Sequence, residues 1–436
     1  MPTYFEQISK LNSGIKYMSF ETISVIGLGY IGLPTAAMFA SRKKKVIGVD
    51  VNNSTVDTIN RGEIHIVEPD LDMLVSAAVQ QEYLKAVTIP EPADAFLIAV
   101  PTPFKTCETG EIPEPDLTYI KSAAKAISPV LKKGDLVILE STSPVGATEQ
   151  MSEWLAEARP DLSFPQTAGE FADINIAHCP ERVLPGKVVT ELVQNDRVIG
   201  GMSKRCSERS VELYKTFVMG ECVVTNARTA EMAKLTENSS RDVQIAFANE
   251  LSMICDELDI DVWELISLAN RHPRVDILQP GPGVGGHCIA VDPWFIVSKT
   301  RETARLIHTA RNVNDLKPEW VVNKVKLAVS NFLEANPTKT ANDVTVACYG
   351  LAFKPDIDDL RESPALEITK SIAENHLGKV LAIEPNVEVI DLENVELVSL
   401  DESLTRTDVH VMLVDHKQFK KIKLNDPFVV DTKGIW

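Results

Sequence analysis

The stretch "TISVIGLGYIGLPTAAMFASRKKKVIGVD" (Thr22–Asp50) decides the fold of the first part of the chain. Between its two apolar runs, Gly27, Gly29 and Gly32 have the spacing GxGxxG, and Asp50 closes the second run. The pattern predicts strand, glycine turn, helix and strand, with the helix N-terminus placed to hold a pyrophosphate. An acidic residue at this position accepts hydrogen bonds from ribose hydroxyls, so we predict NAD rather than NADP as the cofactor. The alternative is a tight turn in an unrelated α/β protein.

Apolar runs of strand length recur after this stretch and are separated by helical segments, which predicts a doubly wound parallel sheet. A segment without glycine or proline (228–258) and a linker-like stretch (335–343) precede further strand-like runs near the C-terminus. The predicted fold is α/β, with two Rossmann-like doubly wound domains joined by a long central helical region. The predicted divisions are an N-terminal extension (1–17), a first domain (18–224), a central helical domain (225–335) and a C-terminal α/β domain (336–436).

The composition narrows the class of function. The chain has 436 residues and a formal net charge of −18, which argues against a nucleic-acid partner or an anionic membrane surface. No apolar run approaches the ~20 residues that cross a bilayer, and the first residues lack the pattern of a signal peptide. The seven cysteines are odd in number and show no CxxC spacing. We therefore expect a reducing cytoplasm, without disulfides and without a metal site.

One cysteine has an unusual setting, because "GPGVGGHCIAVDP" (281–293) places Cys288 behind a run of glycines. A buried small hydrophobe is the commonest fate of a reduced cysteine. No packing requirement for Gly283, Gly285 and Gly286 is evident from the sequence, so we interpret them as giving a ligand open access to the thiol. A thiol that traps an aldehyde beside a bound NAD allows the four-electron oxidation of an alcohol to an acid.

Other polar positions leave alternatives open. Lys234, Asn238 and Arg241 share one face of a predicted helix, where a solvated stripe is the simpler interpretation. Glu181 follows a predicted strand at the edge where ligands bind in open α/β sheets, although it can equally form a salt bridge. Asp292 precedes a proline and an apolar run, which is also the pattern of a helix N-cap.

Several long motifs occur together: "VIGLGYIGLP", "ESTSPVGATE", "CPERVLPG", "EMAKLTENS", "NRHPRV", "GPGVGGHCIAVDP" and "GLAFKPDIDDLRESPA". From about residue 18 to residue 436, the chain resembles the UDP-sugar 6-dehydrogenases, which are related to UDP-glucose dehydrogenase. The resemblance implies NAD-dependent, two-step oxidation of a sugar 6-hydroxyl through a cysteine thiohemiacetal and thioester. It also implies a role in surface polysaccharide synthesis and a homodimer formed through the central helix.

The resemblance assigns roles residue by residue. The implied catalytic residues are Cys288, Lys234, Asn238, Asp292 and Glu181. The implied NAD contacts are Gly27, Gly29, Tyr30, Ile31, Gly32, Asp50, Thr102, Thr142, Thr148 and Arg361. The implied substrate contacts are Arg182, Val183, Lys234, Asn238, Arg241, His272, Arg274, Gly285, Phe353, Lys354 and Lys433, of which Phe353, Lys354 and Lys433 hold the UDP moiety. These roles would make the polar helix face an active-site wall.

Two departures from the UDP-glucose branch concern the sugar. His287 stands before the cysteine and Arg182 follows the strand-end glutamate, and both fit the branch that accepts N-acetylated sugars. The implied substrate is UDP-N-acetyl-D-mannosamine, and its 2-epimer UDP-N-acetyl-D-glucosamine is the alternative. Two other functions compete: a one-step hydroxyacid dehydrogenase of the 6-phosphogluconate type, which needs no nucleophilic cysteine, and a non-catalytic NAD-binding protein, which would be expected to lack Cys288 or Lys234.

Overall fold

The computed structural model describes residues 20–106, 111–184, 186–286, 288–422, 424 and 426–436. The predicted N-terminal extension (1–17) and His287 lie outside the described residues. The chain divides into two compact units, one within Met1–Thr106 and Pro115–Lys234, and the other within Cys107–Glu114 and Leu235–Trp436.

The first unit is built on an eight-stranded sheet. Its strands are β1 (Thr22–Ile26), β2 (Lys45–Val49), β3 (Leu84–Val87), β4 (Ala95–Ile98), β5 (Leu136–Leu139), β6 (Asn175–His178), β7 (Arg197–Gly201) and β8 (Cys222–Asn226). The order β3-β2-β1-β4-β5-β6 is parallel throughout and is that of a dinucleotide-binding fold. The edge differs from the prediction of a wholly parallel sheet, because β7 runs antiparallel to β6 and pairs in parallel with β8.

Helices separate the strands of this unit. They are α1 (Gly32–Ser41), α2 (Asn53–Asn60), α3 (Leu71–Gln80), α4 (Thr118–Ile127), α5 (Ala147–Ala158), α6 (Pro165–Ala168), α7 (Val188–Gln194) and α8 (Lys204–Tyr214). Helix α2 begins at an Asn52 side-chain cap and α8 at a Ser203 cap, as their sequences favour. Helix α1 has no side-chain cap, and in its first turn the Leu33 N–H donates to the Gly29 carbonyl oxygen at 3.1 Å.

The second unit contains a five-stranded sheet that is parallel throughout, in the order β11-β10-β9-β12-β13. Its strands are β9 (Val346–Tyr349), β10 (Val380–Ile383), β11 (Val395–Leu397), β12 (Val409–Met412) and β13 (Val429–Asp431). The helices from here to the C-terminus are α9 (Ala227–Glu257), which begins in the first unit, α10 (Val262–Ala269), α11 (Asp292–Lys299), α12 (Arg305–Ala335), α13 (Pro364–Asn375) and α14 (Leu400–Arg406).

The central strands explain why the sequence shows continuous apolar runs. Every position of β4, β5, β6, β9, β10 and β12 is buried. Parallel strands with helices over both faces have this character, and their side chains supply the core of each unit. Among the described residues, no helix combines the length and the apolar character needed to cross a membrane.

Candidate active site

An added side chain would have different consequences at each of the three glycines in the turn after β1. Gly27 has a φ of +92°, and a Cβ there would lie 2.6 Å from the Ala99 carbonyl oxygen. A Cβ on Gly32 would lie 1.8 Å from the Gly27 carbonyl oxygen, so the helix could not approach the strand. A Cβ on Gly29 would meet nothing within 4 Å. The protein does not itself require glycine at 29, and the open space fits the pyrophosphate of a dinucleotide above the N-terminus of α1, where Tyr30–Ile31 leads into the helix.

Asp50 stands at the end of β2 and is partly buried. Its Oδ2 accepts a hydrogen bond from the Leu28 N–H at 3.0 Å, and its Oδ1 accepts one from the Asn52 N–H at 2.9 Å. The carboxylate is therefore fixed beside the glycine turn with lone pairs left for ribose hydroxyls. The Thr102 hydroxyl is buried and has no hydrogen-bond partner among the described residues, as expected of a group that awaits a ligand.

Thr142 and Thr148 follow β5 in different surroundings. Thr142 is partly buried in the loop, whereas Thr148 is fully buried in the first turn of α5. The Thr148 hydroxyl and N–H donate to Oε1 of the buried Glu231 at 2.6 and 2.8 Å, and the Gly146 N–H donates to Oε2 at 2.6 Å. Burial raises the pKa of Glu231, and these bonds oppose the shift. Sequence reasoning missed Glu231, although it lies one helical turn before Lys234 on α9.

Glu181 follows β6 and takes part in a buried charge cluster. Its Oε2 lies 2.8 Å from Nη1 of Arg197, and the two side chains are 7% and 4% exposed. The contact is an ion pair without hydrogen-bond alignment. The Arg197 guanidinium lies over the Tyr214 ring at 5.0 Å, and the Tyr214 hydroxyl donates to Oε1 of Glu140 at 2.6 Å. Burial raises the pKa of Glu140 to about 7. The salt bridge foreseen for Glu181 is present, with a partner that the sequence did not identify.

The remaining predicted contacts around this strand end and after α10 are less enclosed. Arg182 and Val183 are partly buried, and the Arg182 N–H donates to Oε1 of Glu181 at 2.7 Å. His272 and Arg274 are exposed in the turn after α10, where the Arg274 N–H donates to Nδ1 of His272 at 3.3 Å. Their roles toward substrate stay predictions.

The polar stripe on α9 is not simply a solvated face. Lys234 and Asn238 are partly buried and Arg241 is exposed. The Asn238 Nδ2 donates to Oδ2 of Asp292 at 2.5 Å, and Asp292 is 3% exposed. Helix α11 has Val291 at its N-cap position, without a side-chain cap. The helix-cap interpretation of Asp292 is therefore wrong, and this carboxylate is held instead by an amide of the central helix.

Cys288 is exposed, so the interpretation of a buried small hydrophobe is wrong. Its carbonyl oxygen accepts the Asp292 N–H at 2.9 Å, which places the thiol-bearing residue one turn before α11. Of the other described cysteines, Cys222 is partly buried and the buried ones are Cys179, Cys206, Cys255 and Cys348. Burial raises the pKa of Cys179 and of Cys348 to about 12, which makes both thiols unreactive.

The glycines before Cys288 correct the sequence interpretation, which saw no packing requirement for them. A Cβ on Gly285 would lie 2.6 Å from the Glu362 carbonyl oxygen, 2.7 Å from Cδ of Pro364 and 2.8 Å from Cβ of Phe353. A Cβ on Gly283 would lie 2.9 Å from Cβ of Pro364. Gly286 has a φ of +79°, and its N–H donates to the Glu362 carbonyl at 3.3 Å. The run is therefore glycine-rich because it packs directly on the loop that follows β9.

That loop and the C-terminal segment carry the groups predicted to hold a nucleotide. Lys354 is exposed, and Nζ of Lys433 lies 3.5 Å from Oδ1 of Asp415. The Arg361 guanidinium donates to both oxygens of Asp359, at 2.9 and 2.6 Å. The NAD contact predicted for Arg361 stays a prediction.

A buried network, which sequence reasoning did not find, fixes the start of the glycine run. Oδ1 of Asn249 accepts the Gly281 N–H at 2.9 Å, and Nδ2 of Asn249 donates to Oδ1 of Asn314 at 2.9 Å. Asn314 and Arg311 both donate to Oδ1 of Asp242, at 2.8 and 2.6 Å. These polar residues on two long helices gave only an amphipathic signal in the sequence.

Three family models match successive parts of the chain. The UDP-glucose/GDP-mannose dehydrogenase family matches with its NAD binding domain at residues 21–218, its central domain at residues 228–316 and its UDP binding domain at residues 347–436.

Individual proteins match over nearly the whole length. The UDP-N-acetyl-D-mannosamine dehydrogenase of Yersinia pestis is 70% identical over 425 residues, which cover 96% of this chain and 100% of that protein. The NDP-N-acetyl-D-galactosaminuronic acid dehydrogenase of Ralstonia solanacearum is 63% identical over 424 residues, covering 96% of this chain and 97% of that protein. The solved structure of the UDP-D-ManNAc dehydrogenase from Pyrococcus horikoshii has a TM-score of 0.83 at 36% identity, covering 95% of this chain and 96% of that one.

Proposed function

Because the chain belongs to the UDP-glucose/GDP-mannose dehydrogenase family of NAD-dependent oxidoreductases, we propose that it oxidises the 6-hydroxyl of UDP-N-acetyl-D-mannosamine to the uronic acid. The observation that carries the choice of sugar is the 70% identity, over 96% of this chain, to a protein named for that substrate. A relative at 63% identity is named for another N-acetylated sugar, which makes the sugar the point to test. The product would serve surface polysaccharide synthesis.

Bound NAD supplies the hydride acceptor for both oxidations. The first oxidation removes a hydride from C6 and a proton from its hydroxyl, which leaves an aldehyde. The Cys288 thiolate then adds to the aldehyde carbon, and the carbonyl oxygen takes up a proton to complete a thiohemiacetal. The second oxidation removes a hydride from that carbon and a proton from its hydroxyl, which leaves a thioester on Cys288. Water adds to the thioester carbon, the carbon–sulfur bond breaks, and the acid and the thiol are released.

Polar residues of the chain stabilise charge during these steps. Lys234 would stabilise the negative charge that develops on the reacting oxygen, as an oxyanion-hole donor does. Asn238 and Asp292, joined by their 2.5 Å hydrogen bond, would orient that oxygen or the attacking water. Glu181, which is held in place by its ion pair with Arg197, would accept the proton of the water.

The proposed binding contacts follow the predicted assignments. The open space at Gly29, the anchored carboxylate of Asp50 and the buried hydroxyl of Thr102 support an NAD site. The other proposed NAD contacts are Tyr30, Ile31, Thr142, Thr148 and Arg361. Phe353, Lys354 and Lys433 would hold the UDP moiety. The remaining proposed sugar or phosphate contacts are Arg182, Val183, Arg241, His272, Arg274 and Gly285. The proposed domain divisions are 18–224, 225–335 and 336–436.

We infer that the protein acts as a cytoplasmic homodimer. A reducing compartment keeps the exposed Cys288 as a thiol. Helix α9 exposes Phe247 and Ile254, which share one helix face at positions i and i+7, and the exposed Leu258 directly follows the helix. An exposed apolar face of this kind marks a protein interface, and a second copy of the chain is the partner that the family resemblance implies. Analytical ultracentrifugation should show a dimer, and Phe247→Glu should shift it toward monomer. A wild-type monomer at micromolar concentration would refute the inference.

The function is tested by counting NADH per sugar on a panel of UDP-sugars. UDP-N-acetyl-D-mannosamine should yield two NADH and one acid per molecule, with Cys288→Ser giving no net acid and no thioester by mass spectrometry. UDP-N-acetyl-D-glucosamine, UDP-N-acetyl-D-galactosamine and UDP-glucose should have lower kcat/KM. A site built around an acetamido group leaves polar atoms unpaired with UDP-glucose, so that discrimination should be the largest. Faster oxidation of UDP-glucose would overturn the branch, and faster oxidation of UDP-N-acetyl-D-glucosamine would overturn only the epimer.

A further inference from the structure

The two sheets repeat one local arrangement at equivalent positions. In the first unit, Asp50 closes the second strand and accepts the N–H of Leu28, in the turn after the first strand. In the second unit, Glu384 closes β10, and its Oε2 accepts the N–H groups of Leu351 and Ala352 in the turn after β9, at 2.8 and 3.1 Å. Each acid therefore links the end of its own strand, by hydrogen bonds, to the turn that follows the neighbouring strand.

The second acid differs from the first because a histidine covers it. Nε2 of His416 lies 3.0 Å from Oε2 of Glu384, and the two side chains are fully buried. Burial alone would raise the pKa of Glu384, but the bonds from His416 and from the Leu351 N–H hold it below its ordinary value. Asp50 is open enough to meet a ribose, whereas Glu384 serves only as an internal anchor.

The other ring nitrogen of His416 holds a second point of the same loop. Nδ1 accepts the Asp356 N–H at 2.9 Å, so Nδ1 carries no proton in this contact and the Nε2–H donates to Glu384. Asp356 has a φ of +62° and Glu362 a φ of +49°, values that L-residues rarely adopt. Such backbone persists only where surrounding contacts determine it, and His416 supplies one of them.

The loop held in this way (residues 351–362) has two tasks in the proposed reaction. It carries Phe353 and Lys354, the groups proposed for the UDP moiety. It also packs on the glycine run that leads to Cys288, through the Gly286 N–H to Glu362 carbonyl bond and the close approach of Gly285. A change in the loop conformation would therefore displace both the nucleotide contacts and the nucleophile.

We propose that His416 and Glu384 are positioning residues that hold loop 351–362 in the conformation that binds UDP and supports the Cys288 run. This inference rests on the UDP site proposed above. The two residues touch neither substrate nor cofactor in this scheme. They act through Asp356, Leu351 and Ala352.

The test separates the two bonds of the ring. His416→Gln retains a donor toward Glu384 and loses the acceptor for the Asp356 N–H, whereas His416→Asn places a carbonyl oxygen near the Nδ1 position. Isothermal titration of the full-length protein with UDP should show affinity lowered by about tenfold in His416→Gln, and partly restored in His416→Asn. The KM for the UDP-sugar should rise in parallel, while the KM for NAD should stay within about twofold. The rate of Cys288 alkylation by iodoacetamide, followed by mass spectrometry, should change in His416→Gln and return toward wild type in His416→Asn.

His376→Gln is the matched control, because His376 lies in the same unit and its ring contacts the Val344 carbonyl oxygen instead of the loop. It should leave UDP affinity and alkylation unchanged. A folded His416→Gln with wild-type UDP affinity would overturn the inference, as would equal losses in His416→Asn and His416→Gln. If His416→Gln does not fold, Glu384→Gln takes its place with the same readouts and the same refuting result. An unchanged KM for the UDP-sugar in Lys354→Ala would show that the wild-type protein oxidises the sugar without binding UDP through this loop. That result would refute the UDP site itself.

Discussion

Replacing Gly285 by alanine should impair catalysis while the protein stays folded. The added Cβ would lie 2.6 Å from the Glu362 carbonyl oxygen, 2.7 Å from Cδ of Pro364 and 2.8 Å from Cβ of Phe353. Favourable carbon contacts lie at roughly 3.5–4.0 Å, so the glycine run has to move by on the order of 0.5–1 Å. Overpacking of this kind costs about 1–3 kcal/mol. If that cost falls on the active conformation, kcat/KM decreases by about 5- to 150-fold.

Steady-state kinetics with the UDP-sugar at saturating NAD would measure the effect, and the thermal midpoint would confirm folding. Gly281→Ala is the matched control from the same run, because the atom nearest to its added Cβ is Nζ of Lys433 at 3.7 Å, an ordinary contact. The control should stay within about threefold of wild type. Wild-type kcat/KM in Gly285→Ala would refute the packing argument. Equal losses in both variants would show that any side chain in the run is harmful, whatever its distance from the loop.

Three further variants test other parts of the site. Asp50→Ser removes the carboxylate that repels a 2′-phosphate, so the ratio of kcat/KM for NAD over NADP should fall; an unchanged ratio would contradict the role of Asp50. Lys234→Ala should lower kcat by on the order of 10²–10³-fold with a smaller change in KM, and normal kcat with a raised KM would restrict Lys234 to binding. Burial raises the pKa of Glu140 from 4.5 to about 7, so the folded state binds the carboxyl proton of Glu140 more tightly than the unfolded chain does. The free energy of unfolding should therefore fall by about 3 kcal/mol as the pH rises from about 4.5 to above 7. Glu140→Gln should flatten the fall between urea midpoints measured near pH 5 and near pH 7.5, whereas a slope equal to that of wild type would show that Glu140 does not hold the proton.

The sequence predicted features whose cause is local. The glycine turn could be predicted because Gly27 needs positive φ, Gly32 needs close packing and Asp50 stands at a strand end, all within one short stretch. The long central helix could also be predicted, because residues 228–258 contain no glycine or proline. The observed helix spans Ala227–Glu257. The antiparallel pairing of β6 with β7 was missed, because an apolar run does not record strand direction.

The missed parts of the site depend on residues that are distant in the chain. The sequence alone favours open access as the reason for the glycines before Cys288, whereas Gly285 has its close neighbours in and next to the loop after β9. The partner of Glu181 is Arg197 on β7, and the anchor of Glu384 is His416 after β12. Each residue looks like an ordinary polar position in the sequence, and its role exists only once the sheet brings the strand ends together.

The turn after β1 and the turn after β9 differ in a way that explains why a covalent intermediate suits this chain. The first turn has Gly29 with open space and the exposed side of Asp50, as a dinucleotide requires. The equivalent positions of the second turn are the buried Ala352 and the buried Glu384, so the repeated fold does not form a second dinucleotide site there. Two hydrides must then leave the sugar through the cofactor site of the first unit in succession, with one cofactor exchanged for another between them. An aldehyde left unbound during that exchange could diffuse away, whereas the thiohemiacetal proposed on Cys288 would keep the sugar attached until the second oxidation.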